Sequence, residues 1–315
     1  MIEFLAKFLV KNFFKITLIA IFIPIILQFK PIIYSSLTSI NNAVPSFNKT
    51  YDSILSIRSP FATNVSKTPN EELIEELIPT DLYTKYPPEI IQNLESSINE
   101  LINLQKKSRN HLSKTFINDA FQNIREGNFT SAKNIMLTRY QNASSDKEKS
   151  KFLLNVGNFE IFEDPEFALS YYEKAYRLDP KNFNSLNNIG HIYRLTGDNK
   201  NAISFYAKLA HEAQTYGEWQ YVASAESNIG VVYQQMGDYA LAKKYYFVAL
   251  DINNKLSNEL RAATQYFNLG TVYEAMNEQE KACDYLRKSR IIFYRNYRED
   301  FVSSLDQELK KMGCH

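Results

Sequence analysis

The segment from Asn228 to Asp238 constrains the fold of this 315-residue chain more than any other, because it occurs three times at a fixed interval. Its glycine recurs at Gly190, Gly230 and Gly270, so the period is 40 residues. A period of roughly 20–50 residues is typical of solenoids, in which each unit buries its apolar face only by stacking on its neighbours. The sequence therefore predicts a repeat domain.

Each unit is predicted to be a pair of helices. A small residue follows each glycine by twelve positions, and an aromatic residue follows three positions later. Small side chains let two helices approach closely, and the aromatic ring fills the space beside the contact. A Gly-Asp or Asn-Glu pair between the two halves combines a helix stop with a helix start. The small residues are Ala202, Ala242 and Ala282, and the aromatic residues are Phe205, Tyr245 and Tyr285.

Fainter copies extend the pattern toward the N terminus. Gly157 is followed by Ala168, at a spacing one residue shorter than in the later units. Ala120 stands where the other units have their first glycine, and Gly127 precedes Ala132 at the spacing of the later turns. We therefore predict four clear hairpins and one degenerate first hairpin.

These motifs resemble the tetratricopeptide repeat, and the 40-residue period resembles the longer variety found in kinesin light chains and in many bacterial proteins. The resemblance implies an all-α fold, a right-handed superhelical solenoid of helical hairpins, over residues 113–299. The polar helix predicted at residues 300–315 would cap its C-terminal end.

Residues 1–33 form an apolar N-terminal segment, in which residues 8–33 are predicted to be a transmembrane helix. A single span is feasible because Lys15 and Lys30, which flank an uncharged core, can snorkel. The basic flank would then stay cytoplasmic and the repeats would be exported, to the periplasmic side of a bacterial inner membrane. One alternative is a cleaved secretory signal that leaves a secreted or periplasmic protein, and another is a buried or interfacial helix. Residues 34–68, rich in Ser, Thr and Asn, predict a flexible linker.

Residues 69–112 are predicted to form an amphipathic helical segment that caps the solenoid. Apolar residues recur there at steps of three and four and form one stripe along a helix. The stripe would pack against the first repeat. In the alternative interpretation, the helix at residues 89–105 is a coiled-coil seam through which the protein forms an oligomer. The stripe consists of Ile91, Leu94, Ile98 and Leu101.

The sequence argues against an enzyme and against a cofactor. It contains no glycine-rich phosphate loop, and its four histidines show no metal-ligand spacing. The net charge of +1 gives no reason to expect nucleic acid as a partner. Cys283 and Cys314 alone predict neither a disulfide framework nor a metal site, and Cys283 is interpreted as a small apolar residue. We therefore predict no catalytic, cofactor-binding or metal-binding residue.

An asparagine stands two positions before the glycine position of every unit. It is turned about 200° around the helix from the glycine, so it points toward the inner surface of the solenoid. Its amide offers the donor and the acceptor that hold one peptide unit of an extended chain. The resemblance implies this role, because peptide-carrying tetratricopeptide proteins use similar asparagines; alternatively, the amides hold neighbouring helices together. This asparagine ladder consists of Asn118, Asn155, Asn188, Asn228 and Asn268.

Residues one turn later on the same face are predicted to set specificity, and they include His191, Arg194, Gln234 and Glu274. The predicted function is that of a non-catalytic, membrane-tethered adaptor or scaffold. It would bind a partner protein or extended peptide segment in the concave groove of the solenoid. One alternative is a structural subunit of a multiprotein membrane complex, and another is a peptide-sensing regulator.

Overall fold

The computed structural model describes residues 68–108, 111–296 and 298–314, and these residues contain fourteen α-helices and no β-strand. The all-α prediction is therefore confirmed for the described chain. The first three helices precede the repeats. They are α1 (Pro69–Leu77), α2 (Leu82–Lys85) and α3 (Pro88–Lys107).

Five helical hairpins follow, and one further helix completes the chain. Each helix packs against the next one along the sequence, as expected of a solenoid. The first helices of the hairpins are α4 (His111–Arg125), α6 (Asp146–Glu160), α8 (Phe183–Leu195), α10 (Trp219–Gln235) and α12 (Glu259–Ala275). The second helices are α5 (Thr130–Asn142), α7 (Pro165–Leu178), α9 (Asn199–Thr215), α11 (Tyr239–Lys255) and α13 (Gln279–Arg295). The last helix is α14 (Glu299–Lys311).

The repeated Gly-Asp pair makes the turn within a hairpin, as predicted. Gly237 has φ +79°, a left-handed conformation that ends α10 and that suits glycine because it has no Cβ. Asp238 then caps α11, where its carboxylate accepts a hydrogen bond from the backbone N–H of Leu241 at 3.0 Å.

The repeated glycine on the first helix lies against the second helix of the same hairpin. A Cβ added at Gly230 would lie 2.6 Å from Cε1 of Tyr246, so no larger residue fits without a shift of the ring. Tyr246 and its counterparts Tyr172 and Tyr206 are completely buried. These contacts orient each first helix, because the glycine faces inward and the asparagine two positions earlier faces away from the second helix.

Helix α3 carries the predicted apolar stripe, and the chain itself buries it. Ile91, Leu94, Ile98 and Leu101 are at most 2% exposed, in a core shared with α1, α4, α5 and α6. The proposed coiled-coil seam at residues 89–105 is therefore corrected, because its apolar side chains already pack within the chain. The apolar stripe of α3 packs against the first hairpin, and polar side chains of α3 also reach α6 and α8; the capping role stays a prediction.

Helix α14 packs against α13, and the two are joined covalently. Cys283 and Cys314 form a disulfide, with their Cα atoms 5.6 Å apart. The sequence predicted no disulfide framework and interpreted Cys283 as a small apolar residue; this is corrected, because α14 folds back along α13 and brings together cysteines 31 residues apart in sequence. The guanidinium of Arg290 on α13 also donates to the carboxylate of Asp306 on α14, at 3.0 Å for Nη2.

Within the described ranges, no helix combines the length and the hydropathy that a bilayer span requires. The predicted anchor at residues 8–33 lies outside the described residues, as does the predicted linker at residues 34–68 except for Thr68. Thr68 forms a capping box with Glu71 at the start of α1.

Candidate functional site: the groove of the asparagine ladder

The five asparagines of the ladder lie on the first helices of the five hairpins, one on each of α4, α6, α8, α10 and α12. Asn118 is exposed, whereas the other four are at most 9% exposed. The surface formed by these first helices is called the groove below. Contacts with α3 place the first three of these asparagines on one side of the solenoid, and Asn228 and Asn268 stand at the same sequence position of α10 and α12.

Helix α3 occupies one half of this groove and binds the first three asparagines with its polar side chains. Gln105 Nε2 donates to Asn118 Oδ1 at 2.5 Å. Ser97 Oγ donates to Asn155 Oδ1 at 2.8 Å. Asn93 Nδ2 donates to Asn188 Oδ1 at 3.0 Å. The helix thus crosses three successive hairpins, with its C-terminal end at α4 and its N-terminal end at α8.

Asn158 extends this hydrogen-bonded network into the second helix of its own hairpin. Its amide nitrogen donates to Ser97 Oγ at 3.0 Å, and its Oδ1 accepts from Tyr172 OH at 2.9 Å and from Asn188 Nδ2 at 3.0 Å. Because these groups are buried, each hydrogen bond compensates the cost of removing a polar atom from water. In this half of the groove the asparagines therefore join neighbouring hairpins and hold helix α3 of the same chain, whereas the binding of a partner segment stays a prediction.

Two ion pairs add charge complementarity to the contact between α3 and the hairpins. Lys151 Nζ on α6 lies 2.7 Å from a carboxylate oxygen of Glu100 on α3. The Arg194 guanidinium on α8 lies 3.8 Å from Glu89 Oε2 at the start of α3, and the arginine side chain is only 5% exposed. Arg194, a predicted specificity residue, is therefore paired with the chain's own helix.

His191 was predicted to face a partner in the groove, and this placement is corrected. It directly follows Gly190 and therefore points into the hairpin, where it is completely buried. Nδ1 of its ring lies 2.9 Å from Tyr206 OH, and Nε2 lies 2.8 Å from Asn187 Nδ2. Burial lowers the pKa of His191 from 6.5 to about 4; the nearby Glu89 carboxylate raises it and Arg194 lowers it further.

The other half of the groove begins beyond the N-terminal end of α3. Helix α3 starts at Pro88, level with Arg194, and Tyr86 before it packs edge-on against Phe162 at 4.7 Å between ring centroids. The chain before α3 therefore turns back toward the second hairpin. Helices α10, α12 and α14 follow beyond this end, and their surface, which α3 does not cover, is called the open half of the groove.

Two ladder asparagines and two predicted specificity residues belong to the open half. Asn228 Nδ2 donates to Asn187 Oδ1 at 2.9 Å, which joins α10 to α8. Gln234 Nε2 donates to Thr271 Oγ1 at 3.1 Å, and Gln234 Oε1 accepts from Tyr246 OH at 2.5 Å. Asn268 is 4% exposed, and Glu274 is half-buried.

Sequence reasoning missed Glu308, although the period was sufficient to find it. Counting 40 residues on from Asn268 leads to Glu308 on α14, so a glutamate occupies the sixth position of the ladder. Glu308 is 7% exposed, and one of its carboxylate oxygens lies 3.1 Å from Lys311 Nζ. Burial raises the pKa of Glu274 and the Glu308 carboxylate raises it further, whereas the Lys311 ammonium lowers it. The contacts of α3 with the ladder were also missed, because an apolar stripe shows what a helix buries but not which surface receives its polar side.

Comparisons with known proteins agree with the repeat fold. Residues 181–255 and 221–293 match the tetratricopeptide repeat family. No curated protein matches the chain. The assignment to the variety found in kinesin light chains stays a prediction.

Two solved structures with TM-scores of at least 0.50 share the fold at low sequence identity. Aspartyl phosphate phosphatase F from Bacillus subtilis is 14% identical with a TM-score of 0.52, and the match covers 82% of this chain and 76% of that one. The apo form of RapI is 16% identical with a TM-score of 0.50, and the match covers 82% of this chain and 79% of that one. MamA is 18% identical with a TM-score of 0.43, and the match covers 57% of this chain and 96% of that one. Over residues 181–293, this protein is therefore a solenoid of tetratricopeptide repeats.

Proposed function

We propose that the protein is a non-catalytic adaptor that holds a segment of a partner protein in the open half of the groove. The observation that carries this proposal is the continuation of the ladder. Three asparagines already hold α3, and Asn228 and Asn268 continue the same row beyond its end. Side-chain amides donate and accept, so they suit the polar groups of a second chain segment in the same way.

The half that α3 fills is not the site for the partner in this proposal. Six of its apolar side chains are at most 2% exposed, and burial of an aliphatic side chain contributes about 2 kcal/mol. Displacement of α3 would therefore cost on the order of 10 kcal/mol, which exceeds the binding free energy of a micromolar partner. These residues are Ile90, Ile91, Leu94, Ile98, Leu101 and Ile102.

A pair of variants distinguishes binding from stability. Asn228→Ala combined with Asn268→Ala is expected to abolish capture of the partner, measured by crosslinking in cells and identification of the crosslinked protein. Asn188→Ala is the matched control, because it removes the same amide from the filled half. Its side chain bonds Asn93 and Asn158, so we expect a loss of about 1–3 kcal/mol in the free energy of unfolding but full capture.

Both variants are compared with the wild type by thermal melting. Capture by the double variant, or equal loss of capture by Asn188→Ala at a similar melting temperature, would contradict the proposal. Equal loss would instead support a purely structural role for the ladder.

We further propose that residues 8–33 tether the protein to a membrane with the repeats on the exported side. The disulfide between Cys283 and Cys314 supports the exported side, because structural disulfides persist in oxidising compartments and are rare in the cytosol. The apolar run between Lys15 and Lys30 supports the tether.

Two measurements test the tether and the side of the membrane. The full chain is expected in the membrane fraction and a version that begins at residue 34 in the soluble fraction; equal distribution of the two would rule out the anchor. In intact cells, Cys283 and Cys314 are expected to resist a thiol-alkylating reagent until a reductant is added. Immediate alkylation of both would contradict export.

A further inference from the structure

The ladder asparagines divide their two hydrogen-bonding atoms between the solenoid and the segment that they hold. In the filled half, Asn155 and Asn188 each donate from Nδ2 to an atom of the hairpins and accept at Oδ1 from a side chain of α3. Asn228 also donates from Nδ2, to Asn187, but its Oδ1 accepts no hydrogen bond within the described chain. The oxygen that α3 occupies in the filled half can therefore receive a donor from another segment in the open half.

A cation lies one helical turn from this acceptor. Nη1 of Arg261 on α12 donates to Oγ of Ser224 on α10 at 2.7 Å, and Ser224 stands four positions before Asn228. Residues four apart on a helix lie on the same face, so the guanidinium is on the same side of α10 as the asparagine. The exposed Arg261 forms no ion pair among the residues that the structure describes. Its positive charge therefore has no counterion in this part of the chain.

The filled half has a cation at the corresponding place, and there the bound helix supplies the counterion. Lys151 stands four positions before Asn155 on α6, and its Nζ lies 2.7 Å from a carboxylate oxygen of Glu100 on α3. Glu100 comes three positions after Ser97, which donates to Asn155 Oδ1 at 2.8 Å. One turn of α3 thus offers a donor to the asparagine and a carboxylate to the cation. The open half presents the same two groups without a segment that binds them.

The spacing of the ladder suits a helix as the bound segment. Asn93 and Gln105 of α3 donate to Asn188 and Asn118, which belong to hairpins two apart. Twelve residues of helix (105 − 93) rise about 18 Å, or about 9 Å per hairpin. This distance is close to the separation of about 8–10 Å between packed helices. A helix therefore meets a new asparagine about every six residues, whereas a strand that rises about 3.3 Å per residue would meet one about every three.

We propose that the partner segment binds the open half as an α-helix in the direction of α3, with a donor side chain on Asn228 Oδ1 and a carboxylate on Arg261. This inference rests on the proposed function, since it specifies the conformation and the chemistry of the segment. The donor is serine, asparagine or glutamine, as in α3, and the aspartate or glutamate stands three positions after it. A second donor about six positions before the first reaches Asn268. Opposite charge at Arg261 fixes the register of the helix and disfavours segments that carry a basic residue there.

Selection from a phage-displayed library of a stable single helix randomised on one face, with the full chain as the target, tests the inference. Helices that bind are expected to share an acidic residue three positions after serine, asparagine or glutamine. A synthetic copy of a selected helix should bind Arg261→Gln roughly ten- to a hundredfold more weakly than the wild type, because charge-assisted hydrogen bonds are lost. Glutamine keeps a donor for Ser224, and an unchanged melting temperature checks that the variant is folded.

Matched changes in the protein and in the peptide sharpen the test. Arg139→Gln, the same substitution at an exposed position of α5, is the control and should leave binding unchanged. Replacement of the acidic peptide residue by glutamine should cost a factor similar to that of Arg261→Gln, and the two losses should not add. A proline in the middle of the peptide should weaken binding on the order of a hundredfold, because it breaks the helix.

The outcomes separate this inference from the function on which it rests. Peptides that need Asn228 and Asn268 but bind Arg261→Gln normally, or that tolerate the proline, would overturn the inference and leave the adaptor function intact. The same holds if only a parallel library of unstructured peptides yields binders. A dimer of the full chain that dissociates in Arg261→Gln would assign the surface to a second copy and overturn the inference. If neither library yields a peptide dependent on Asn228 and Asn268, both the inference and the proposed function are wrong.

Discussion

Replacement of Cys283 by alanine and Cys314 by serine is expected to lower the free energy of unfolding by about 3–4 kcal/mol. The disulfide closes a loop between residues 31 positions apart, and loop closure of this size removes about that much conformational freedom from the unfolded chain. The effect is expected to fall mainly on α14, because the bond ties this last helix to α13.

Chemical denaturation of the oxidised wild type, the reduced wild type and the variant measures this effect. Reduction should lower the free energy of unfolding of the wild type to that of the variant. It should leave the free energy of unfolding of the variant unchanged. An oxidised wild type no more stable than the variant would show that α14 docks without help from the bond. The buried apolar side chains of α14, Leu305 and Leu309 among them, would then account for most of the docking, with a smaller contribution from the contact between Arg290 and Asp306.

Acidification from pH 6.5 to pH 4 is expected to remove about 3 kcal/mol of stability through His191 alone. Its pKa is about 4 in the folded protein, because burial disfavours the charged ring, and about 6.5 in the unfolded chain. Between pH 6.5 and pH 4, His191 therefore binds a proton in the unfolded chain but stays neutral in the folded protein. The stability that is fully present above pH 6.5 is lost by about 1.4 kcal/mol per pH unit until the folded protein also binds the proton near pH 4.

His191→Asn is the matched variant, because the chain already uses asparagine at this position of the preceding hairpin. There, Asn158 accepts a hydrogen bond from Tyr172 OH, and the amide introduced by the substitution would accept one from Tyr206 OH in the same way. Free energies of unfolding measured from pH 7.5 to pH 4 should fall about 3 kcal/mol less in the variant than in the wild type. The acidic residues contribute equally to the pH dependence of the wild type and of the variant. If the free energies of unfolding of the two proteins fell by the same amount, His191 would not be held neutral in the folded protein.

The hairpins could be predicted from sequence because each depends on local spacing. Gly230, Tyr246 and Gly237 stand at fixed intervals, and helix geometry converts those intervals into a close approach and a turn. The prediction that His191 faces the groove was wrong for a related reason. One residue turns a helix by about 100°, so a residue next to the glycine faces the hairpin interior, while the asparagine two before it faces the groove.

Contacts between distant segments could not be predicted in the same way. Nothing local indicates that Ser97 will meet Asn155, or that Cys283 will meet Cys314, because these pairs depend on how whole helices dock. Glu308 is an intermediate case. The period leads to it, but the asparagine motif does not, since the side chain at that position is a carboxylate.

The position of α3 has a consequence for how the protein folds. In most solenoids each repeat contacts only its neighbours, so the array can fray from either end. Here one helix bonds Asn155 and Asn188 across sequence separations of 58 and 95 residues, which ties the first three hairpins into a single cooperative unit. The last two hairpins keep nearest-neighbour coupling. The first three hairpins with α3 are therefore expected to unfold only as a whole, whereas the last two hairpins can unfold locally. The proposed binding surface lies on the last two hairpins and α14.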